Sequence, residues 1–359
     1  MDEAYTPILT EEERARRRAQ RSRARQERQR QRGLRLLRRV IPAAAAALVL
    51  LLLLTAARRH PAEAEAPPPE EEEELLPETM PEEEPVPVLF TPAVTADTVT
   101  LPEGELYSQY AVVMDAQSGE ILAQTLSDTV ISPASMTKVL TLLVASEAIT
   151  DPEDTFTITI DITDYCYLNG CSAAGFALGE TVTVRDLLYG TILPSGADAA
   201  VALAIYAAGS HEAFVDRMNE KLADLGLSAT AHFTNCVGLY DADHHCTVRD
   251  MAVILKAAMD DPLCREVLGA RVYTTSQTEQ HPEGLALSNW FLRRIEDRFV
   301  EGPLQVIGAK TGYVSQSGSC AASCARREDG REFLCVTGNA SGAWRAIYDH
   351  TALYQTWCK

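Results

Sequence analysis

From His60 to Glu105 the chain has no Lys or Arg, and proline and glutamate crowd the first half of that stretch. Self-repelling carboxylates and repeated proline leave too little apolar surface to offset the entropy of ordering. Residues 58–105 are therefore expected to be a disordered, extended linker, rising about 3 Å per residue where it is polyproline-like. This confines any packed core to residues 106–359. The 46% apolar content of the 359-residue chain is normal for a globular protein. The net charge of −19 averages over unlike segments, since thirteen arginines fall between Arg14 and Arg39. It says little about partners.

Ahead of the linker lies an apolar run over residues 41–57, with alanine at 43–47 and Leu or Val at 48–54. Its length sits at the short end of what spans a bilayer core, about 17–25 residues. Arginines crowd its N-terminal side, so the positive-inside rule puts residues 1–40 in the cytoplasm as a basic tail and everything after the run outside. A cleavable signal peptide ending near Ala56-Ala57 is the rival reading. The long basic segment before the run and the Arg58-Arg59 pair after it favour an uncleaved, single-pass signal anchor. The basic tail is read as fixing topology; no nucleic-acid partner is expected.

Beyond residue 106 the pattern becomes that of a folded domain. Residues 110–114 and 121–123, joined by Asp115-Ala116-Gln117-Ser118-Gly119, read as a β-hairpin. Residues 136–148 are apolar nearly all round, the mark of a helix in a domain interior. Further helices are expected at 186–190, 197–208, 211–225 and 248–259. Strand signals return at 306–309, 318–326 and 331–338, and a last helix covers 343–357. Strands at both ends with helices between them predict an α/β (α+β) fold, a mainly antiparallel sheet flanked by helices.

Three short strings carry the chemistry: Ser135-Met136-Thr137-Lys138, Ser195-Gly196-Ala197 and Lys310-Thr311-Gly312. Ser135 falls at a helix N-terminus, where free N–H groups favour developing negative charge. Lys138, three residues on, lies on the same face. Beside apolar walls and a second cation, for which Lys310 is the candidate, its amine loses proton affinity and becomes a base near neutral pH. Ser195 sits at a turn into the next helix, where a helix cap is the plainer reading. Lys310 and Thr311 end a strand, with Gly312 permitting close approach of a peptide. That suits a substrate ending in a free carboxylate, bound by strand addition and a charge-assisted contact. An S-x-x-K string alone recurs by chance about once in a chain this long; the ordered set of three is what carries weight.

Strings of this kind mark class A β-lactamases and penicillin-binding proteins. With YAVVMDAQSGEILAQ, ISPASMTKVLTLL, VTVRDLLYGTILPSGADAAVALA, HFTNCVGLYDADHHCTVRDMA and IGAKTGYVSQSGSCAASC, the chain resembles the D-alanyl-D-alanine carboxypeptidase family of low-molecular-mass penicillin-binding proteins over residues 106–359. The resemblance implies the serine β-lactamase/transpeptidase fold, without the β-rich C-terminal domain of many members. It implies hydrolysis of the terminal D-alanine from peptidoglycan stem pentapeptides, with no cofactor and no metal. By motif position Ser135 is the acylated nucleophile, Lys138 its base and Ser195 a proton relay. Lys310 and Thr311 hold the substrate carboxylate, and the N–H groups of Ser135 and of Tyr313, which follows Gly312, form the oxyanion hole. β-Lactams are implied as covalent inhibitors, and the bacterial cell membrane as the location, with the catalytic domain outside.

Two positions depart from the family pattern. Ala197 stands where an Asn amide is usual, and Cys236 replaces a common Pro. A class A-like β-lactamase is the first alternative, although no convincing E-x-x-x-N string follows Ser195. A weakened wall-binding or β-lactam-sensing module is the second.

Nine cysteines all lie on the expected outer side, where disulfides form. A two-residue Asp329-Gly330 turn places Cys324 opposite Cys335. Cys166 with Cys171, and Cys236 with Cys246, close short loops. A zinc site at His244, His245 and Cys246 is disfavoured, because adjacent histidines rarely aim at one ion.

Overall fold

The computed structural model describes residues 89–298 and 304–359. The basic tail, the apolar run at 41–57 and most of the acidic linker lie outside the described residues. Among the described residues no helix is long and apolar enough to cross a membrane.

The chain order is β1 (Val99–Thr100), β2 (Tyr110–Asp115), β3 (Ile121–Thr125), a 3-10 turn (Ala134–Thr137) running into α1 (Lys138–Ser146), β4 (Thr155–Thr157) and α2 (Ile160–Asn169). Then come β5 (Thr181–Thr183), α3 (Val184–Ile192), α4 (Ala197–Ala208), α5 (His211–Asp224), α6 (Val248–Asp260) and α7 (Pro262–Gly269). The chain closes with β6 (Val272–Thr274), β7 (Ala286–Ser288), α8 (Trp290–Ile295), β8 (Leu304–Val314), β9 (Gly318–Arg327), β10 (Glu332–Ala340) and α9 (Ala343–Trp357). Six strands form one sheet in the order β1-β3-β2-β10-β9-β8, antiparallel except for β1 on β3. The mainly antiparallel α/β architecture expected from the sequence is present.

Period-2 alternation splits the sheet's side chains between two cores. Val112, Met114, Cys320, Ala322, Cys324, Leu334 and Val336 face α1 and the helices around it. Ala111, Val113, Ala321, Ala325, Phe333 and Cys335 face α8 and α9. Helix α1 is buried along its whole length, as its apolar run demands. Helices α3 and α6 start on capping boxes, Thr183 with Asp186 and Thr247 with Asp250, which satisfy their first N–H groups.

The linker boundary at 105 is corrected. Ala93 exchanges backbone hydrogen bonds with Gly119 and Ile121 (both 2.8 Å), Thr98 Oγ1 donates to Ile121 O at 2.6 Å, and Leu101 is buried. Residues 93–101 (AVTADTVTL) hold one acid, so averaging them with the Glu-rich stretch hid a segment able to cover the edge of β3.

The 328–331 turn is also corrected. Arg327 N–H donates to Arg331 O at 2.8 Å across a three-residue loop whose Gly330 takes φ +89°. That extra residue sets Cys324 opposite Leu334 and Cys335 opposite Ser323. A one-residue slip sends a side chain to the other face, so Cys324 and Cys335 lie in different cores. All nine cysteines are free thiols in the structure. Peptide mapping of protein oxidised without denaturant is expected to yield no Cys324–Cys335 link; finding one would overturn this register.

Candidate active site

Ser135 sits in the 3-10 turn that opens α1, half-buried, directly after Ala134, whose φ of +49° is rare for a non-glycine residue. The Lys138 amine lies 3.2 Å from Ser135 Oγ and donates to Val237 O at 2.7 Å. Ser195 likewise holds positive φ (+63°), and its Oγ accepts from Lys310 Nζ at 2.8 Å. Lys310 also donates to Thr311 O at 2.7 Å. Four of the seven residues picked from sequence thus form two serine–lysine pairs. Among the described residues Ser195 makes no hydrogen bond to Ser135 or Lys138; the pairs meet through repulsion between the two amines.

Both amines are almost fully buried, 1% and 2% exposed. Burial pushes Lys138 down to about 8, partly offset by the nearby Cys236, Cys171, Cys166 and Asp198. Burial, and then Lys138 itself, push Lys310 well below its usual range. The repulsion expected between the two amines is present, and it lowers Lys310.

Lys310, Thr311, Gly312 and Tyr313 lie inside β8, which runs on to Val314; the motif does not end a strand. β8 is one of the sheet's two edge strands, the kind of strand to which a peptide strand can be added. Thr311 is half-buried and Tyr313 is 68% exposed. Gly312 presses on the turn that carries Ser135: a Cβ there would sit 2.8 Å from Pro133 O and 2.9 Å from Ser135 N.

Gly238 closes the turn from the other side. Its φ is +84°, and a Cβ would meet Ala134 O at 1.9 Å. The Asn235 side chain builds the loop, with Oδ1 accepting from Gly238 N (2.7 Å) and Leu239 N (3.0 Å). Asn235 and Val237 were missed as site residues, although the TNCVGL string, an Asn followed by a Gly, is a turn signal.

His244 was missed too. Thr234 N–H donates to its Nδ1 (3.0 Å), so Nε2 holds the proton and donates to Thr137 Oγ1 (2.8 Å), whose hydroxyl donates to Ala134 O (2.7 Å). Burial pushes the imidazole down to about 3, keeping it a neutral strut behind the Ser135 turn. Both ring nitrogens face protein partners, not an ion.

Ala197 is buried at the start of α4, and its N–H donates to Ser172 O at 2.8 Å. Asp198 lies near enough to act on Lys138 by charge but hydrogen-bonds elsewhere, accepting from Ala174 N (2.7 Å) and Gly175 N (3.0 Å). No side-chain amide therefore comes from this turn to Lys138.

A hydroxyl 3.2 Å from a lysine whose proton affinity is lowered is equipped for base-assisted nucleophilic attack. At pH 7 about one molecule in ten carries a free Lys138 amine, one unit below its midpoint. The rate of Ser135 acylation is expected to rise with pH through about 8 and then level. A rate flat from pH 6 to 9 would count against Lys138 as the base.

A profile of the D-alanyl-D-alanine carboxypeptidase family matches residues 95–341. The chain is 29% identical over 228 residues to the carboxypeptidase DacF of Bacillus subtilis and 31% identical over 257 residues to DacC of Escherichia coli. These matches cover 64% and 70% of this chain, but only 56% and 61% of the relatives' lengths. Against the crystal structure of the DD-transpeptidase of Streptomyces strain K15 the TM-score is 0.64, with 26% identity, covering 71% of this chain and 98% of that one.

Proposed function

The chain belongs to the D-alanyl-D-alanine carboxypeptidase family, and we propose that it is a serine DD-carboxypeptidase that removes the terminal D-alanine from peptidoglycan stem pentapeptides. The observation that carries this reading is the Ser135–Lys138 pair beside an edge strand bearing Lys310 and Thr311.

The peptide adds to the outer edge of β8. Its terminal carboxylate meets Lys310 and the Thr311 hydroxyl, supplying the counter-charge that the buried Lys310 amine lacks. Lys138, as free amine, takes the proton of Ser135 as Oγ attacks the carbonyl carbon of the penultimate D-alanine. The N–H groups of Ser135 and Tyr313 hold the oxyanion. Ser195, hydrogen-bonded to Lys310, relays the proton held by Lys138 to the departing amine of D-alanine, which leaves Lys138 a free amine again. Water, activated by the same lysine, then releases the shortened peptide from Ser135. β-Lactams acylate the same oxygen and leave slowly.

We further read residues 41–57 as a single-pass membrane anchor, residues 1–40 as its cytoplasmic tail and the acidic linker as a stalk. Thirteen arginines before the apolar run, against only Arg58 and Arg59 and then none up to Glu105 after it, support this. On this reading the domain works outside the bacterial membrane, on the cell wall.

Ser135→Ala is expected to abolish labelling by a fluorescent penicillin and release of D-alanine from a D-Ala-D-Ala peptide, while Lys138→Ala slows both by about a hundredfold or more. Full labelling of the Ser135 variant would move the nucleophile elsewhere. A labelled parent that releases no D-alanine would favour the sensing-module reading.

The gap at Ala197 yields a second expectation. An amide there would hydrogen-bond both base and substrate, worth about 1 to 3 kcal/mol, or roughly five- to 150-fold in rate. Ala197→Asn is expected to raise kcat/KM for a D-Ala-D-Ala peptide. An unchanged or lower value would mean that the site has adapted to the small residue.

A further inference from the structure

Helix α2 ends against the candidate site in a Schellman closure. Gly170 takes φ +61°, its N–H reaches Tyr167 O at 3.4 Å, and Cys171 N–H donates to Cys166 O at 3.0 Å. This closure brings the third residue before the helix end against the second residue beyond it, a contact usually made by two apolar side chains. Here both positions are cysteine, and the closure sets the two thiols near enough to shift each other's ionisation. Cys166 is buried and Cys171 partly exposed. The contact holds the Cys166 thiol protonated and draws Cys171 below the ordinary thiol range. An accessible sulfur inclined to the thiolate, backed by a buried thiol, is the arrangement of an attacking and a resolving cysteine.

The pair is tied to the catalytic turn by the residues after it. Ser172 Oγ donates to Ser195 O at 2.7 Å, and Ser172 O accepts from Ala197 N at 2.8 Å. Ala174 and Gly175 donate to the Asp198 carboxylate, and a Cβ on Gly196 would sit 2.7 Å from Ala174 N. The segment 171–175 therefore cannot shift without moving the backbone of Ser195.

We propose that Cys166 and Cys171 are a thiol–disulfide exchange site whose state is transmitted to the Ser195 turn and to Lys138. The oxidant is a disulfide, either a small-molecule disulfide or the active-site disulfide of a dithiol oxidoreductase. Cys171 thiolate attacks one sulfur, the S–S bond breaks, and the first thiolate leaves. Cys166 then attacks Cys171 of the mixed disulfide, losing its proton as the second thiolate departs. Two protein thiols become one disulfide, and the oxidant becomes two thiols.

The electrostatic consequence has a definite sign. Lys138 is faced by Cys166 and Cys171 from α2 and its end, Asp198 from α4, Cys236 from the loop before α6, and Lys310 from β8. Tyr165 lies among the same cysteines with its ring on His211. Negative charge on Cys171 holds the Lys138 proton more firmly, and a disulfide carries none. Oxidation therefore lowers Lys138's proton affinity further and frees more of its amine at a given pH.

The proposal rests on Lys138 serving as the base for Ser135, and the test keeps the two apart. The full chain is treated with oxidised glutathione, alkylated, digested and mapped, and the pH dependence of penicillin acylation is measured before and after. The expected result is a Cys166–Cys171 link, reversible by dithiothreitol. With it the acid limb of acylation moves to lower pH by roughly half a unit, and Cys171→Ser abolishes the shift. Thiols that stay free, a glutathione that remains on Cys171, or a link that leaves the pH profile unmoved would each overturn the proposal. Failure of the reduced protein to label at all would instead overturn the function on which it rests.

Discussion

Two buried lysine amines that repel each other are the constraint on which the rest of the site depends. Each is held by one serine hydroxyl and one backbone carbonyl, Lys138 by Ser135 and Val237, Lys310 by Ser195 and Thr311. Those partners accept hydrogen bonds but bring no negative charge, and burying an uncompensated ammonium is costly. The resting protein is therefore biased towards shedding a proton from this cluster. On the proposed function, the substrate carboxylate supplies the missing counter-ion. On that reading one arrangement prepares a base at Lys138 and a receptor at Lys310, each needing the surrounding protein to exclude water.

The fold supplies that exclusion through close backbone contacts. The Ser135 turn is clamped between Gly312 on the edge strand β8 and Gly238 in the loop shaped by Asn235, with neutral His244 behind it. A methyl group at either glycine would push the turn away from its neighbours. Ala134 and Ser195 are two of the four described non-glycine residues with positive φ, and such residues persist only where packing over-determines them. The helices of the larger core are the packing that does so, with α1 buried along its whole length.

Much of this was legible in the sequence, and the failures have identifiable causes. The all-round apolar run after Ser135 announced a buried helix, and strand patterns at both ends of the domain announced the sheet. The β9–β10 register slipped by one because Glu328-Asp329-Gly330 serves as a three-residue loop; the composition Asp-Gly does not distinguish the two loop lengths. Residues 93–101 were lost by averaging with acidic neighbours. Lys310 was read as the end of a strand because Thr311 and Gly312 weaken the apolar pattern that the hydrogen bonds continue through. His244 was weighed only as a zinc ligand, because its structural role depends on Thr137 and Thr234, which only folding brings to it.

The most direct test of this account is the titration of Lys138 itself. In protein carrying 13C at lysine Cε, the Lys138 resonance, assigned by its loss in Lys138→Ala, is followed by NMR across the pH range. The account predicts a midpoint near 8, well below that of surface lysines. A Lys138 that titrates with the surface lysines, above about 10, would contradict it, because Ser135 would then have no base within reach.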